Sequence, residues 1–414
     1  MGKQVRGLTF AFQRARGLLE FPARMSAILV INSGSSSLKC SLLATASEAV
    51  LAHGVAEELG GQDAVLRFSA EDGREMVLAL PGAGHEEALE AILDQMGEFA
   101  LVGIGHRVVH GGEKFSVSVR IDDATLAQID ECSPLAPLHN PANVASIRAA
   151  RARFPDLPHV AVFDTAFHQT LPQHAYLYAL PYEYYKKHHV RRYGFHGTSH
   201  RYVATEAARL LKEPLRNLHL LTAHLGNGCS ACAIRSGVSV DTTMGFTPLE
   251  GLVMGTRSGD IDPNLHEFLA RTLGQSLEEI TATLNRRSGL LGLSGLSNDM
   301  RTLTEAAAGG HALAAIAIEV FCYRLAKGLL GLCAALDRVD ALVFTGGIGE
   351  NSTIVRGKTL ENLKLLGPVL DADRNEGHGR ESAGLISSEL SPLAVLVIST
   401  NEELVIARET AALL

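Results

Sequence analysis

Two segments, one in each half of the chain, constrain the fold more than any other feature. VINSGSSSLKCSLL (30–43) and LHLLTAHLGNGCSACAIRSGVSVDTTMG (218–245) both read as an apolar strand, a turn of Gly, Ser or Asn, and a returning strand. Two such phosphate-sized hairpins suggest a duplicated domain with a cleft between the copies. Either one alone would be an ordinary hairpin turn. Length agrees, since 414 residues exceed the size at which a single hydrophobic core stops growing, so two domains are expected.

Strands and helices alternate from Ala27 onward, the pattern of an α/β fold. AILVIN (27–32), the segment from Leu38 to Leu43, LVGIGHRVVHGG (101–112), HVAVFDTAF (159–167), ALVFTGG (341–347) and LAVLVIST (393–400) read as strands. HEEALEAILDQM (85–96) has helical period. Asn140-Pro141 predicts a helix through Arg153, with Asn as cap and Pro at the first helical position. Ser276 and Glu279 form a capping box. A long helix is expected over 312–336, and another starting near Asn401.

The net charge of −8 argues against nucleic acid or a membrane surface as partner, because polyanions need clustered Lys and Arg. It leaves room for a phosphate ligand held by local amides and a few cations. The most apolar stretch, Ala312 to Leu336, is interrupted by Glu319, Arg324 and Lys327 and is no membrane span. Six cysteines are too few for a disulfide framework and point to a reducing, cytoplasmic setting. Residues 1–24 differ from the rest: Lys3, Arg6, Arg14, Arg16 and Arg24 face one acid, Glu20. The segment reads as a disordered extension, or as residue of an upstream start before Met25, in preference to a targeting peptide.

Neither G-x-x-x-x-G-K-[ST] nor G-x-G-x-x-G occurs, so a phosphate cradle must be built otherwise. SGSSSLK (33–39) and HLGNG (224–228) put small residues in tight turns where backbone N–H groups are unobstructed; Lys39 adds a cation, Ser35 and Ser37 add hydroxyls. TGGIGEN (345–351) is a third such turn, open to a flat ring, with Asn351 available to cap the next helix. Arg107, Asp164, His196 and Arg257 lie at or near strand ends, where α/β folds place ligands. Two arginines with a His suit chemistry that moves negative charge between a phosphate and a carboxylate. Cys229 and Cys232 have metal or redox spacing but would point to opposite faces of a strand, so they read as structural. His196 and His200 lack the Glu of a metalloprotease motif.

INSGSSSLK, GHRVVHGGEKF, APLHNPAN, VFDTAFHQ, YGFHGTSH, HLGNG, MGFTPLEGLVMGTRSGDIDP, SGLLGLSG, SNDMR, FTGGIGENS and TNEELVIAR together resemble the acetate kinase family, in order, from Ala27 to Arg408. The resemblance implies two duplicated ribonuclease-H-like domains around a nucleotide cleft, as in actin, sugar kinases and heat-shock chaperones. It implies a split into 25–168 plus 400–414, carrying the carboxylate and Mg²⁺ elements, and 169–399, carrying nucleotide binding and dimerisation. It further implies a homodimer, ATP/ADP as co-substrate, Mg²⁺ (or Mn²⁺), and acetate or a similar short carboxylate as acceptor.

By motif, Asn32 and Glu402 would hold the metal and Lys39 would contact phosphates. His224, Leu225, Gly226, Asn227, Gly228, Asp299, Met300, Arg301, Gly347, Ile348, Gly349, Glu350 and Asn351 would form the ATP site. Arg107 would bind the carboxylate, Asp164 would be the acid-base residue, and His196 and Arg257 would stabilise the transition state. Val109, Leu138, Phe195 and Pro248 would surround the alkyl group. The residues themselves favour a different role for Asp164, because a carboxylic acid is already ionised at pH 7 and needs no base. Propionate or butyrate as substrate, or an actin-like ATPase switch, are the competing expectations.

Overall fold

The chain builds one pattern of strands twice. In this computed structural model residues 26–414 are described, apart from Ser35, Glu98 and Leu138, so the expectations on 1–24, the Ser35 hydroxyl and Leu138 lie outside the described residues. The first sheet contains β1 (Ser26–Ser33), β2 (Leu38–Ala44), β3 (Val50–Glu57), β4 (Val65–Ala70), β5 (Glu75–Ala79), β6 (Ala100–Val108), β7 (Val119–Arg120) and β8 (His159–Phe163), in the order β5-β4-β3-β2-β1-β6-β8-β7. The second contains β9 (His219–Leu225), β10 (Cys229–Arg235), β11 (Val238–Thr242), β12 (Ala341–Thr345) and β13 (Ala394–Val397), ordered β11-β10-β9-β12-β13.

The inner five strands of the first sheet, β3-β2-β1-β6-β8, match the second strand for strand. Each has an antiparallel meander (β1-β2-β3; β9-β10-β11) followed by two parallel strands. This is the duplication that the paired hairpins foretold. Parallel strands bury both faces, so they read as continuous apolar runs: every residue of β8 (HVAVF) and β12 (ALVFT) is buried.

Helices His85–Met96 and Asn140–Arg153 cover one face of the first sheet, packing Leu89, Ile92 and Ala150 on Leu29, Leu42 and Ile104. The last helix, Glu402–Ala411, covers the other face, with Leu404 and Ile406 against Ile28, Val30 and Val162. On the second sheet, Ala312–Leu332 packs one face and Gly197–Leu211 the other. Cys229 and Cys232 fall in these two opposite cores, as their strand spacing required.

Several expected boundaries shift for identifiable reasons. β6 stops at Val108 because the next amides leave the ladder: Val109 N donates to Asn143 Oδ1 (3.1 Å) and His110 N to Asn140 Oδ1 (3.1 Å). Asn140 is therefore no cap. It is the first helical residue, buried, with its Nδ2 donating to His110 O at 2.9 Å, and His139 takes the cap position. β8 ends at Phe163 and β13 spans only Ala394–Val397. The long apolar helix ends at Leu332 and tightens into a 3-10 turn at Cys333–Ala335. TGGIGEN is a short helix, Gly346–Asn351, entered through Gly346 at φ 75°, and Ser352, not Asn351, caps the helix that follows.

Candidate active site

Parallel pairing of β1, β6 and β8 brings Asn32, Arg107 and Asp164 to the same edge of the first sheet. Arg107 Nε donates to Asp164 Oδ1 at 3.0 Å and Nη2 to Oδ2 at 2.5 Å, while Nη1 donates to Asn32 Oδ1 at 3.0 Å. Both oxygens of the buried carboxylate are thus engaged by one guanidinium. Burial pushes the Asp164 carboxyl up to about 6 against the pull of Arg107. Burial also opposes the Arg107 charge, but Asp164 and Glu402 outweigh it and raise its pKa. Lys39 stands opposite Asn32 in the β1–β2 hairpin and has no carboxylate partner among the described residues.

The second sheet brings its own groups to this edge. Gly197 N donates to Asp164 O at 2.9 Å, and a Cβ on Gly197 would lie 2.3 Å from that oxygen, so only glycine permits the approach. That contact sets His196, a non-glycine residue in the left-handed region (φ 57°), beside the Arg107–Asp164 pair. The His196 ring stacks on His224 with centroids 4.3 Å apart. Burial, reinforced by His224, His200, Arg107 and Arg257, holds His196 well below the usual histidine range, so its ring is neutral.

Arg257 enters from the irregular segment between β11 and the helix Leu265–Leu273. Its Nη1 donates to Pro248 O at 3.2 Å. A Cβ on Gly228 would be 3.4 Å from Arg257 Nη1 and 3.5 Å from His196 Nε2, so the HLGNG turn leaves room where these donors converge. Burial lowers the Arg257 pKa, and among the described residues no carboxylate pairs with it. A half-buried cation without a counter-ion is costly unless an anion arrives to meet it. His139, overlooked in the sequence although it lies within APLHNPAN, faces the same space: burial, then Arg257 and Arg107, lower its pKa to about 4.

Beside this cluster runs a groove of about 640 Å³, lined by Gly226, Asn227, Asp299, Met300, Arg301, Gly347, Ile348 and Asn351 of the expected set. Asn298, Thr304, Glu305 and Ser352–Ile354 also line it, and the sequence reading had not included them. Asp299 caps its helix by accepting from Arg301 N at 2.8 Å and pairs with the Arg301 guanidinium at 2.9 Å. Leu225 is buried in the core of the second sheet, and buried Gly349 packs under the turn. The Glu350 carboxylate turns inward, accepting from Gly346 N at 2.9 Å and Thr400 N at 3.2 Å. Val109 and Phe195 share one apolar cluster.

Glu402 Oε2 accepts from Thr198 Oγ1 at 3.1 Å, and its charge reaches Arg107, Asp164 and His224. An amide oxygen (Asn32) and a carboxylate (Glu402) are hard donors of the kind Mg²⁺ accepts together with water and phosphate oxygens, so this pair fits that ion. Among the described residues no cluster of three or more His, Cys, Asp or Glu is placed to hold a metal alone. None of the described helices is long and apolar enough to cross a membrane.

Two copies of one sheet that meet at a cationic clamp, with a groove beside it on the second copy, define the class: a duplicated ribonuclease-H-like α/β protein of the actin and sugar-kinase type. The Acetokinase family model matches residues 27–408. An acetate kinase of Stutzerimonas stutzeri (strain A1501) is 58% identical over 390 residues, spanning 94% of this chain and 98% of that protein. Crystal structures of a propionate kinase from Francisella tularensis and an acetate kinase from Porphyromonas gingivalis superpose with TM-scores of 0.89 and 0.87 at 46% and 43% identity. Each match covers 94% of this chain, and 100% and 99% of those chains respectively. The chain belongs to the acetokinase family.

Proposed function

We propose that this protein is an acetate kinase, converting ATP and acetate to ADP and acetyl phosphate. The observation that carries the reading is Arg257, a half-buried guanidinium with no carboxylate partner among the described residues, converging with neutral His196 on the open space at Gly228. A carboxylate oxygen attacks the γ-phosphorus in line; the new P–O bond forms as the bond to the β–γ bridging oxygen breaks, and ADP leaves. The chain's work is to place two anions in contact and to offset their charge. Arg257 and His196 donate to the transferring phosphoryl group, and Arg107 to the acetate. Asp164 orients Arg107 through both oxygens and takes no proton, consistent with a substrate already ionised at pH 7. Asn32 and Glu402 would hold Mg²⁺, which when bound supplies neutralisation of phosphate charge.

The groove holds the nucleotide, with Lys39 and the HLGNG amides toward its phosphates and Gly347–Asn351 toward its base. The proposed division falls at 168/169 and 399/400, in keeping with β13 ending at Val397 and Glu402–Ala411 packing on the first sheet. Exposed Phe268, Leu273, Leu277 and Tyr323 support a homodimer, and six unpaired cysteines support a cytoplasmic setting. The purified protein is expected to form a hydroxamate from acetate, Mg·ATP and hydroxylamine, and ATP from acetyl phosphate and ADP. ATP hydrolysis indifferent to any short acid would sink the kinase reading and favour an ATPase switch.

Acyl-chain preference follows from Val109 and Phe195. A methylene more or less in an apolar pocket changes specificity about 10–200-fold. Acetate is therefore expected to exceed propionate, and propionate butyrate, in kcat/KM. Val109→Ala is expected to narrow these gaps by removing bulk without touching the arginines. Unchanged ratios for the three acids would remove Val109 from the pocket.

A further inference from the structure

Three polar side chains in the second sheet and its helix take no part in the chemistry above, yet all are fully buried: Thr222 on β9, Ser230 on β10 and His200 on Gly197–Leu211. They form a line ending at His196. Thr222 Oγ1 lies 2.8 Å from His200 Nδ1, His200 Nε2 lies 2.8 Å from Ser230 Oγ, and Ser230 Oγ lies 2.9 Å from His196 Nδ1.

Counting protons gives the line a direction. Burial keeps both imidazoles neutral, so each ring carries one N–H. Ser230 has one proton to place between two ring nitrogens, which leaves two self-consistent orders. In one, Thr222 donates to His200 Nδ1, His200 Nε2–H donates to Ser230, and Ser230 donates to His196 Nδ1. Every hydroxyl proton then has an acceptor, and His196 carries its own proton on Nε2. In the other, every bond reverses, and the Thr222 hydroxyl is left without an acceptor among the described residues. A buried donor without an acceptor is costly, so the first order prevails.

His224 is held by a second line of the same design. Thr400 Oγ1 donates to Ser199 Oγ at 2.8 Å, which leaves the Ser199 proton for His224 Nδ1, also at 2.8 Å. The two stacked rings therefore both turn an Nε2–H outward. A reversed His196 would present a lone pair to the incoming phosphate and repel it.

We propose that Thr222, His200 and Ser230 are positioning residues that fix His196 as its Nε2–H tautomer, so that it meets the phosphoryl group as a neutral hydrogen-bond donor. The proposal rests on the kinase reading of His196. Its test uses the full chain with ¹⁵N-labelled histidine, the His196 resonances being assigned by their loss in His196→Gln. Wild type is expected to show His196 Nε2 protonated and Nδ1 bare. Ser230→Ala is expected to mix the tautomers and lower kcat about 10–100-fold, with KM for ATP within about twofold, the effect of losing one oriented donor. Thr222→Val, at the far end of the line 2.8 Å from His200 Nδ1, is expected to lower kcat about 3–10-fold by removing the hydroxyl that sets the direction, and Thr222→Ser to restore it. A wild-type His196 protonated on Nδ1, or a folded Thr222→Val protein with unchanged tautomer and unchanged kcat, would overturn the proposal. The tautomer signal needs no turnover, so absence of acyl phosphate formation in wild type would sink the kinase reading separately.

Discussion

Replacing Arg257 with Ala is expected to lower kcat by about 100- to 1,000-fold, the range for deleting one donor to charge that develops in a transition state. KM for ATP should change far less, because the groove at Asn227, Asp299 and Gly347 is untouched. The size of the effect follows from what Arg257 lacks. Arg107 already shares its charge with Asp164, so part of its field is spent inside the protein. Among the described residues Arg257 has only the Pro248 carbonyl and the Met254 sulfur as acceptors, and its charge is left for a ligand. Arg257→Lys should recover only part of the loss, since an ammonium cannot reproduce a planar fork. The variant should fold as wild type does, because removing this half-buried cation relieves a desolvation cost and breaks no salt bridge among the described residues. Steady-state kinetics with acetate varied at saturating ATP measures the change. A kcat within about threefold of wild type would take Arg257 out of the transition state.

Much of this site was legible because its charged residues interrupt apolar strands or directly follow them. Arg107 stands near the end of β6 and Asp164 just after β8, and parallel strands leave such residues at one edge. The duplication was legible in two hairpins of like design, and it extends to the order of five strands in each sheet. What the sequence concealed depends on contacts across the chain. Asn140 before Pro141 has the local pattern of a cap, but its side chain satisfies His110 of a neighbouring strand end. TGGIGEN has the composition of a turn and folds as a helix whose Glu350 binds the amide of Gly346 and reaches Thr400, some fifty positions along the chain. Thr222, Ser230 and His200 lie in a strand, a strand and a helix, and nothing in their spacing announces that they touch. His139 carries no pattern of its own; its meaning comes from two arginines more than thirty and one hundred residues away.

Asp164→Asn is expected to lower kcat/KM for acetate by about 1,000-fold, more than a single lost donor, because it disturbs Arg107 as well. In wild type both carboxylate oxygens hold the guanidinium edge formed by Nε and Nη2, which fixes its plane relative to Asn32. An amide offers one acceptor in place of two and no charge. The remaining carboxylate whose charge acts on Arg107 is then Glu402, and any shift toward it withdraws a cation from the acetate and crowds the carboxylate proposed for Mg²⁺. Breaking a buried ion pair usually costs about 3–5 kcal/mol, and the retained Asn32 hydrogen bond puts this case at the low end, so the variant should fold with a lowered Tm. The pH profile separates this account from one in which Asp164 merely fills space. Burial raises the Asp164 carboxyl to about 6. Above that pH it is ionised and holds Arg107; as pH falls through 6 it takes up a proton and releases one of the two bonds. Wild-type kcat/KM should therefore decline on the acid side with a midpoint near pH 6, well above the ordinary aspartate value of about 4. In Asp164→Asn that limb should vanish, leaving a low rate that is flat across the same interval. An acid limb that persists unchanged in the variant would assign the titration to another group, and Asp164 would lose its role in holding the arginine.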